Sequence, residues 1–262
     1  MQSVVTDSYS LFNGDCLEIM QSIRNDSIDM VLCDLPYGTT ACSWDSIIPF
    51  DKLWELYKRV CKSTCSICLF GSEPFSSYLR LSNINNFRYD WIWHKSSSGS
   101  FATAKRKPMK YHEIISVFYE KQPIYNPQYQ RYSDTCYKRF KEGDCVNKSN
   151  CLGKNSIQNM KSNINSPISF DRGKYPESVQ FFKSVPNANG SKLHPTQKPV
   201  ELLEYLIKTY TNEGMVVLDN CMGSGSTGVA CLNTNRRFIG IELDESYYNI
   251  AKKRVESIEV SI

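Results

Sequence analysis

Short apolar runs alternate with segments of helical period along the front of the chain, and this alternation predicts an α/β domain. Tyr9 to Asn13 reads as a strand, Cys16 to Ser22 as a helix, and Ile28 to Cys33 as an apolar strand ending at Asp34. Phe50 to Val60 is amphipathic and helical, Ser66 to Phe70 a strand, and Pro74 to Leu81 a helix opened by proline. Tyr89 to His94 and His112 to Tyr119 complete this half as strands. From about residue 120 to 193 the pattern gives way to Asn, Ser, Lys, Tyr and Pro without sustained apolar period. A structureless loop of that length does not suit a compact core, so an inserted lobe is expected there. Regular order resumes with a helix from Pro199 to about Tyr210, a strand from Met215 to Leu218, a glycine-rich turn and a helix from about Ser226 to Asn233. The strand Phe238 to Ile241 and a helix from about Glu245 to Ile258 follow. The expected parts are 1–119, an insert over 120–193, and 194–262, the outer two forming one core.

Composition narrows the class without deciding it. A chain of 262 residues buries a full core in one domain with an insertion. A net charge of +4, from 31 basic and 27 acidic residues, is a mild excess that supports nucleic-acid binding only weakly. Eleven cysteines would suit a disulfide-rich secreted protein. However, no signal-peptide pattern is seen, and no apolar stretch nears the roughly 20 residues of a membrane span, so the expected setting is a reduced cytoplasm without membrane contact. Cys61, Cys65 and Cys68 lie in a helix-to-strand region and read as small buried hydrophobes. Cys136, Cys145 and Cys151 lack a Cys-x-x-Cys pair or a nearby histidine, so no metal is expected.

Two segments carry chemistry. Asp34-Leu35-Pro36-Tyr37 follows the apolar run Met30 to Cys33, which places a carboxylate, a stiff turn and an aromatic ring at the carboxyl end of a strand. Far behind it, Val216 to Asp219 leads through Asn220, Cys221 and Met222 into Gly223-Ser224-Gly225-Ser226-Thr227, a strand handing over to a helix through a turn that lets backbone approach a ligand closely. The next strand ends in Glu242, about 20 residues past the glycines, where a carboxylate can accept both ribose hydroxyls of a nucleoside.

Together these segments resemble the catalytic and cofactor motifs of the S-adenosylmethionine-dependent DNA amino-methyltransferases, the N-4/N-6 DNA methylase family. The catalytic motif comes first, as in the beta class of that family. The resemblance implies a Rossmann-like methyltransferase sheet, mostly parallel with helices on both faces, with a target-recognition region inserted over 120–193. It implies S-adenosylmethionine as cofactor and double-stranded DNA as partner, with a homodimer possible by analogy with the class. Glu242, followed by Leu243, stands where the family binds the ribose, and Asp219 to Thr227 where it meets the amino-acid end. The segment His194 to Leu203 resembles the family's stretch before the cofactor strand, with Thr196 and Lys198 available to the methionine carboxylate. Asn13-Gly14-Asp15-Cys16-Leu17 matches the segment whose acid, Asp15, and following amide, that of Cys16, meet the adenine ring.

In the catalytic motif, the Asp34 side chain and the Leu35 carbonyl would accept from the two N–H groups of an exocyclic amine, favouring a tetrahedral nitrogen aimed at the methyl group. Pro36 would stiffen the turn and Tyr37 stack on the flipped base. The family's usual second residue is proline, and Leu35 departs from it at a position whose carbonyl does the work. Lys95, Lys105, Arg106, Lys107 and Lys110 form the densest basic run and suit backbone phosphates, though a solvated loop would look the same. Phe75, Trp91, Trp93, Phe101 and Tyr111 are aromatic candidates for the extruded base or for the core. No cysteine follows a proline, which counts against transfer to carbon 5 of cytosine.

The acid at Asp34 favours adenine N6, since N4-cytosine members more often carry Ser there. Two other readings stay open. Gly223 to Gly228 also fits the Gly-x-Gly-x-x-Gly of a nicotinamide-dependent dehydrogenase, and the chain could be a DNA-binding module without chemistry.

Overall fold

The computed structural model describes residues 2–38, 46–98, 101–131, 173–186 and 197–259. The chain divides into two units, one comprising residues 1–126 and 177–262, the other 127–176. In the second, the described residues include a backbone bridge between Gln130 and Lys174, with the rings of Tyr129 and Tyr175 5.1 Å apart.

Among the described residues, the first unit is built on a nine-stranded sheet. Its strands are β1 (Ser3–Val5), β2 (Tyr9–Asn13), β3 (Ile28–Cys33), β4 (Cys61–Gly71), β5 (Phe87–Lys95), β6 (His112–Phe118), β7 (Val179–Phe182), β8 (Val216–Asp219) and β9 (Arg237–Glu242). They lie in the order β1-β2-β9-β8-β3-β4-β6-β5-β7. The central strands β2, β9, β8, β3 and β4 are parallel, while β6 runs against both β4 and β5, and β1 against β2.

Helices cover both faces, which is why β3 and β8 are apolar on successive residues instead of alternating. On one face α1 (Cys16–Ile19, extended by a tight turn over Met20–Ser22), α2 (Phe50–Val60) and α3 (Phe75–Ser82) bury Ile19, Leu53, Tyr57 and Leu79 against Val31, Cys33 and Leu69. On the other, α4 (Val200–Tyr210), α5 (Ser226–Asn233) and α6 (Glu245–Glu259) bury Leu206, Ala230 and Val255 against Met30, Leu32 and Phe70. The expected sheet, mostly parallel and covered on both sides, is the one observed.

Three details differ from the sequence expectation. β4 begins at Cys61, directly after α2, because Cys61 pairs with Ile28 before the register shifts to Met30 with Ser66. The three cysteines of that region are buried along this strand, as small hydrophobes. The edge strands β1 and β7 are too short to show a period, and pairing alone creates them: β7 lies beside β5, and Trp93 Nε1 donates to the Phe182 carbonyl at 3.0 Å. The sheet unit also runs past residue 120 and resumes at 177. The Lys121 amide donates to the Ser63 carbonyl at 3.1 Å, the Asn126 amide to that of Thr209 at 2.7 Å, and β7 belongs to the sheet.

Candidate active site

Because β2, β9, β8 and β3 are parallel, the residues at or just after their carboxyl ends share one rim: Asp15 follows β2, Glu242 ends β9, Asp219 ends β8, and Asp34 follows β3. β8 and β3 are neighbours although they come from opposite ends of the chain, with Met30 opposite Val217 and Val31 opposite Leu218. From there the chain leaves β3 for β4 on one side and β8 for β9 on the other, the kind of junction at which open α/β sheets leave a crevice. A cavity of about 250 Å³ opens there. Its walls include Asp34 to Tyr37, Asp15 and Cys16, Lys198, Asp219 to Ser224, Ser226 and Thr227, and Glu242 with Leu243.

The glycine turn is held from both sides. Asp219 is buried, and its two oxygens accept from the Cys221 amide at 3.1 Å and from the Thr227 hydroxyl at 2.6 Å. Burial pushes its carboxyl up to about 6, against the pull of those two donors. Glu242 accepts from the Gly223 amide at 2.8 Å on one oxygen and from the Asp244 amide at 2.9 Å on the other. Each of its oxygens keeps acceptor capacity toward the cavity, and burial raises this carboxyl as well. Gly223 and Gly225 take φ of 51° and 74°, and a Cβ on Gly225 would sit 2.9 Å from Cβ of Ala251 in α6. Gly225 is thus a packing glycine behind the turn and does not line the cavity. From α6, Arg254 donates to the Ser224 carbonyl at 2.5 Å and to the Ser226 hydroxyl at 3.2 Å.

At the opening of α1, Asp15 is the N-cap and accepts from the Leu17 amide at 2.7 Å. Asn220 reaches across from the other half: its amide nitrogen faces the sulfurs of Cys16 and Cys221 at 3.7 and 3.5 Å, and its oxygen accepts from Tyr57 at 2.5 Å. These contacts tie the front and rear segments together. The cavity also borders residues that no sequence pattern singled out, among them Ile47, Ile48 and Tyr247.

Asp34 has company that the sequence did not announce. Tyr37 donates to its Oδ1 at 2.5 Å, and the Tyr37 ring lies 4.8 Å from that of Phe75. Lys198 donates to its Oδ2, so the ammonium expected beside a cofactor carboxylate is paired here with Asp34. Lys198 also lies 3.3 Å from Oε2 of Glu113 on β6, whose other oxygen takes Lys95. Burial pushes the Asp34 carboxyl upward, Lys198 opposes the push, and Glu113 adds to it. Lys198 is held above the ordinary lysine range by the two acids despite burial. Glu113 is held low by Lys198 and Lys95, against its own burial. The one sequence signal for Glu113 was an acid leading directly into the apolar pair Ile114 and Ile115.

Lys105, Arg106 and Lys107 are exposed, whereas Lys110 is half-buried and donates to Ser72. Lys95 faces inward, to Glu113 and over the Trp93 ring. Of the aromatic candidates, Phe75, Trp91 and Trp93 are core residues, and Phe101 and Tyr111 are exposed. Thr196 lies outside the described residues, as does 132–172, most of the expected insert. Among the described residues, no cluster of ligands could hold a metal ion, and no helix is long and apolar enough to cross a membrane.

A family model described as DNA methylase, covering N6 and N4 amino-methyltransferases, matches residues 28–253, from β3 through most of α6. The chain belongs to that DNA methylase family. The methylase is 28% identical over 263 residues to the type II methyltransferase M.HpaI of Haemophilus parainfluenzae, an alignment covering 94% of this chain and 74% of that protein. Its fold is similar to that of M1.HpyAVI in complex with SAM, with a TM-score of 0.60 and 23% identity over 94% of this chain and 98% of the other. It is also similar to the cytosine-N4-specific PvuII DNA methyltransferase, with a TM-score of 0.66 and 16% identity over 98% and 92% of the two chains. The methylase is a site-specific DNA methyltransferase, and S-adenosylmethionine is its cofactor. The dehydrogenase reading falls, since the matched region takes in Asp34 to Tyr37 and the glycine turn as parts of one family pattern.

Proposed function

We propose that the methylase moves the methyl group of S-adenosylmethionine to the N6 amine of an adenine flipped out of duplex DNA. One observation carries the reading: Asp34 and the turn after Asp219 line the same cavity, although 185 positions separate the two acids. The acid at the first position of the catalytic motif favours adenine over cytosine, as the family resemblance implies.

The cavity suits the cofactor by its donors and acceptors. Glu242 takes the ribose hydroxyls with its remaining acceptor capacity, and the amide of Cys16 with Asp15 meets the adenine ring. Asp219, Asn220 and the backbone from Met222 to Thr227 shape the amino-acid end, with Gly225 supporting the turn from behind. The start of α4 meets the methionine carboxylate, and Thr196 is the further donor that the family resemblance implies. The bound cofactor supplies an electrophilic methyl group on a sulfonium.

The protein's own part is to make an unreactive amine nucleophilic. Its lone pair is conjugated into the ring, and acceptors on both N–H groups favour the tetrahedral nitrogen that frees it. The Asp34 carboxylate and the Leu35 carbonyl are those acceptors. Tyr37 stacks on the base, held by its hydroxyl on Asp34 and by the tilted Phe75 ring 4.8 Å from its own. When the nitrogen gains a methyl group it must lose a proton, and Asp34 receives it. Lys105, Arg106 and Lys107 meet phosphates, and the unit over 127–176, within the expected insert, reads the target.

The test is direct. Purified protein, labelled S-adenosylmethionine and duplex DNA of mixed sequence are incubated, and the DNA is digested to nucleosides. N6-methyladenine carrying the label is expected, and label in N4-methylcytosine overturns the choice of base.

A further inference from the structure

Asp34 is one member of a buried row of alternating charges. Lys198 stands between Asp34 and Glu113, and Glu113 stands between Lys198 and Lys95. The Lys198 side chain is 7% exposed, those of Asp34 and Glu113 20% and 16%. The row joins four elements: the loop after β3, the approach to α4, strand β6, and the end of its neighbour β5. Burial disfavours an ammonium strongly, and it stays charged there only where carboxylates pair with it. One carboxylate would neutralise it, and here a second one is supplied from a different strand. Phe70 closes the far side, its ring centroid 5.0 Å from the ammonium. The groups facing Asp34 are Lys198, Glu113 and Tyr37, with Cys33 and Asp219 within electrostatic reach.

We propose that Lys198 and Glu113 are positioning residues for the methyl-transfer step: the Lys198 ammonium keeps the Asp34 carboxylate charged and oriented, and Glu113 holds that ammonium in place. The proposal rests on the reading of Asp34 as the acceptor of the amine. Its physical content is a balance. Without Lys198, Asp34 would sit buried beside a second carboxylate, and it would bind a proton at a pH where it must be an acceptor. Without the charge of Glu113, the lysine would act on Asp34 alone, and the carboxylate would stay ionised further into acid. The two substitutions therefore push Asp34 in opposite directions, which a merely structural role does not produce.

The experiment is a pH profile of single-turnover methylation, with cofactor affinity measured separately by calorimetry on the full chain. In Lys198→Met, the acid limb moves to higher pH, and the rate at neutral pH falls roughly tenfold to a hundredfold while recovering in alkali. In Glu113→Gln, which is nearly isosteric, the limb moves to lower pH. Lys198→Arg retains the charge and is expected to keep a limb near that of the wild type, while Lys198→Gln, which removes the charge, takes the place of Lys198→Met if that variant does not fold. Unchanged limbs in both Glu113→Gln and the folded charge-removing Lys198 variant overturn the proposal, as does loss of cofactor affinity without movement of the limb. Asp34→Asn and Asp34→Ala separate this from the underlying reading. If Asp34→Ala abolishes transfer with cofactor still bound, a failure of the lysine and glutamate variants falls on the positioning pair alone. If Asp34→Asn keeps both rate and acid limb, the assignment of Asp34 itself fails.

Discussion

The amide of Gly223 donates to Oε2 of Glu242 at 2.8 Å, so the acid at the end of β9 closes the glycine turn that follows β8. One side chain thereby braces the turn and presents an acceptor to the cavity. Replacing Glu242 by Ala leaves the Gly223 and Asp244 amides without their acceptor, at a cost of about 1–3 kcal/mol per buried unpaired group. Replacing it by Gln keeps the shape and removes the charge. Calorimetry is expected to show weaker S-adenosylmethionine binding in both variants, with a lowered melting temperature chiefly in Glu242→Ala. Wild-type affinity in Glu242→Gln and Glu242→Ala alike would remove the residue from the cofactor site.

Asp219 makes stability depend on pH. Its carboxyl stands at about 6 in the folded chain against 3.8 for an ordinary aspartate, because it is buried. The folded state therefore binds this proton more tightly than the unfolded state does. Stability contributed by the protonated form is complete below about 4 and is lost as pH rises to about 6, a loss of about 3 kcal/mol for a shift of this size. Asp219→Asn is expected to raise the melting temperature at pH 7 more than at pH 4.5, relative to the wild type. An equal effect at both values would mean that burial does not govern this carboxyl.

The same group couples proton to cofactor. S-adenosylmethionine carries an ammonium and a sulfonium, and an ionised Asp219 suits them better than a protonated one. Affinity measured between pH 7.5 and 5 is expected to fall as pH drops through about 6, and the fall is expected to be absent in Asp219→Asn.

Ligand-induced stabilisation tests the cofactor independently of activity. At a hundredfold excess over Kd a ligand stabilises by about 2.7 kcal/mol, which for a chain of this size is roughly 5–10 °C in Tm. S-adenosylmethionine is expected to give such a rise and NAD none. A rise with NAD would mean that the cavity takes dinucleotides too.

Lys105, Arg106 and Lys107 are expected to act through charge on DNA. Changing the three to Gln should weaken binding alike for all DNA sequences and flatten the salt dependence by roughly one unit of slope per cation. Cofactor affinity should not change. Titration by fluorescence anisotropy at several salt concentrations gives the slope, and an unaltered slope would detach these residues from the phosphates.

The sequence alone determined the α/β class, most of the strands and helices, and the two motifs. Those depend on local order: the apolar run of β3, the helical period of α4, and the glycines after Asp219 are each written within a few neighbouring residues. Even the boundary at Asp34 was legible, since a strand buried on both faces stops where the apolar run stops. Only the tertiary structure decided which distant residues meet. That β8 lies beside β3 follows from sheet order, which places Asp219 near Asp34 and lets Asn220 reach Cys16. Strands β1 and β7 exist because neighbours offer them an edge, and their few residues carry no period of their own. The role of Lys198 was hidden for the same reason. A lysine in a chain is a surface charge until folding surrounds it with Asp34 and Glu113, and the free energy of that encounter belongs to the three groups together, not to any stretch of sequence.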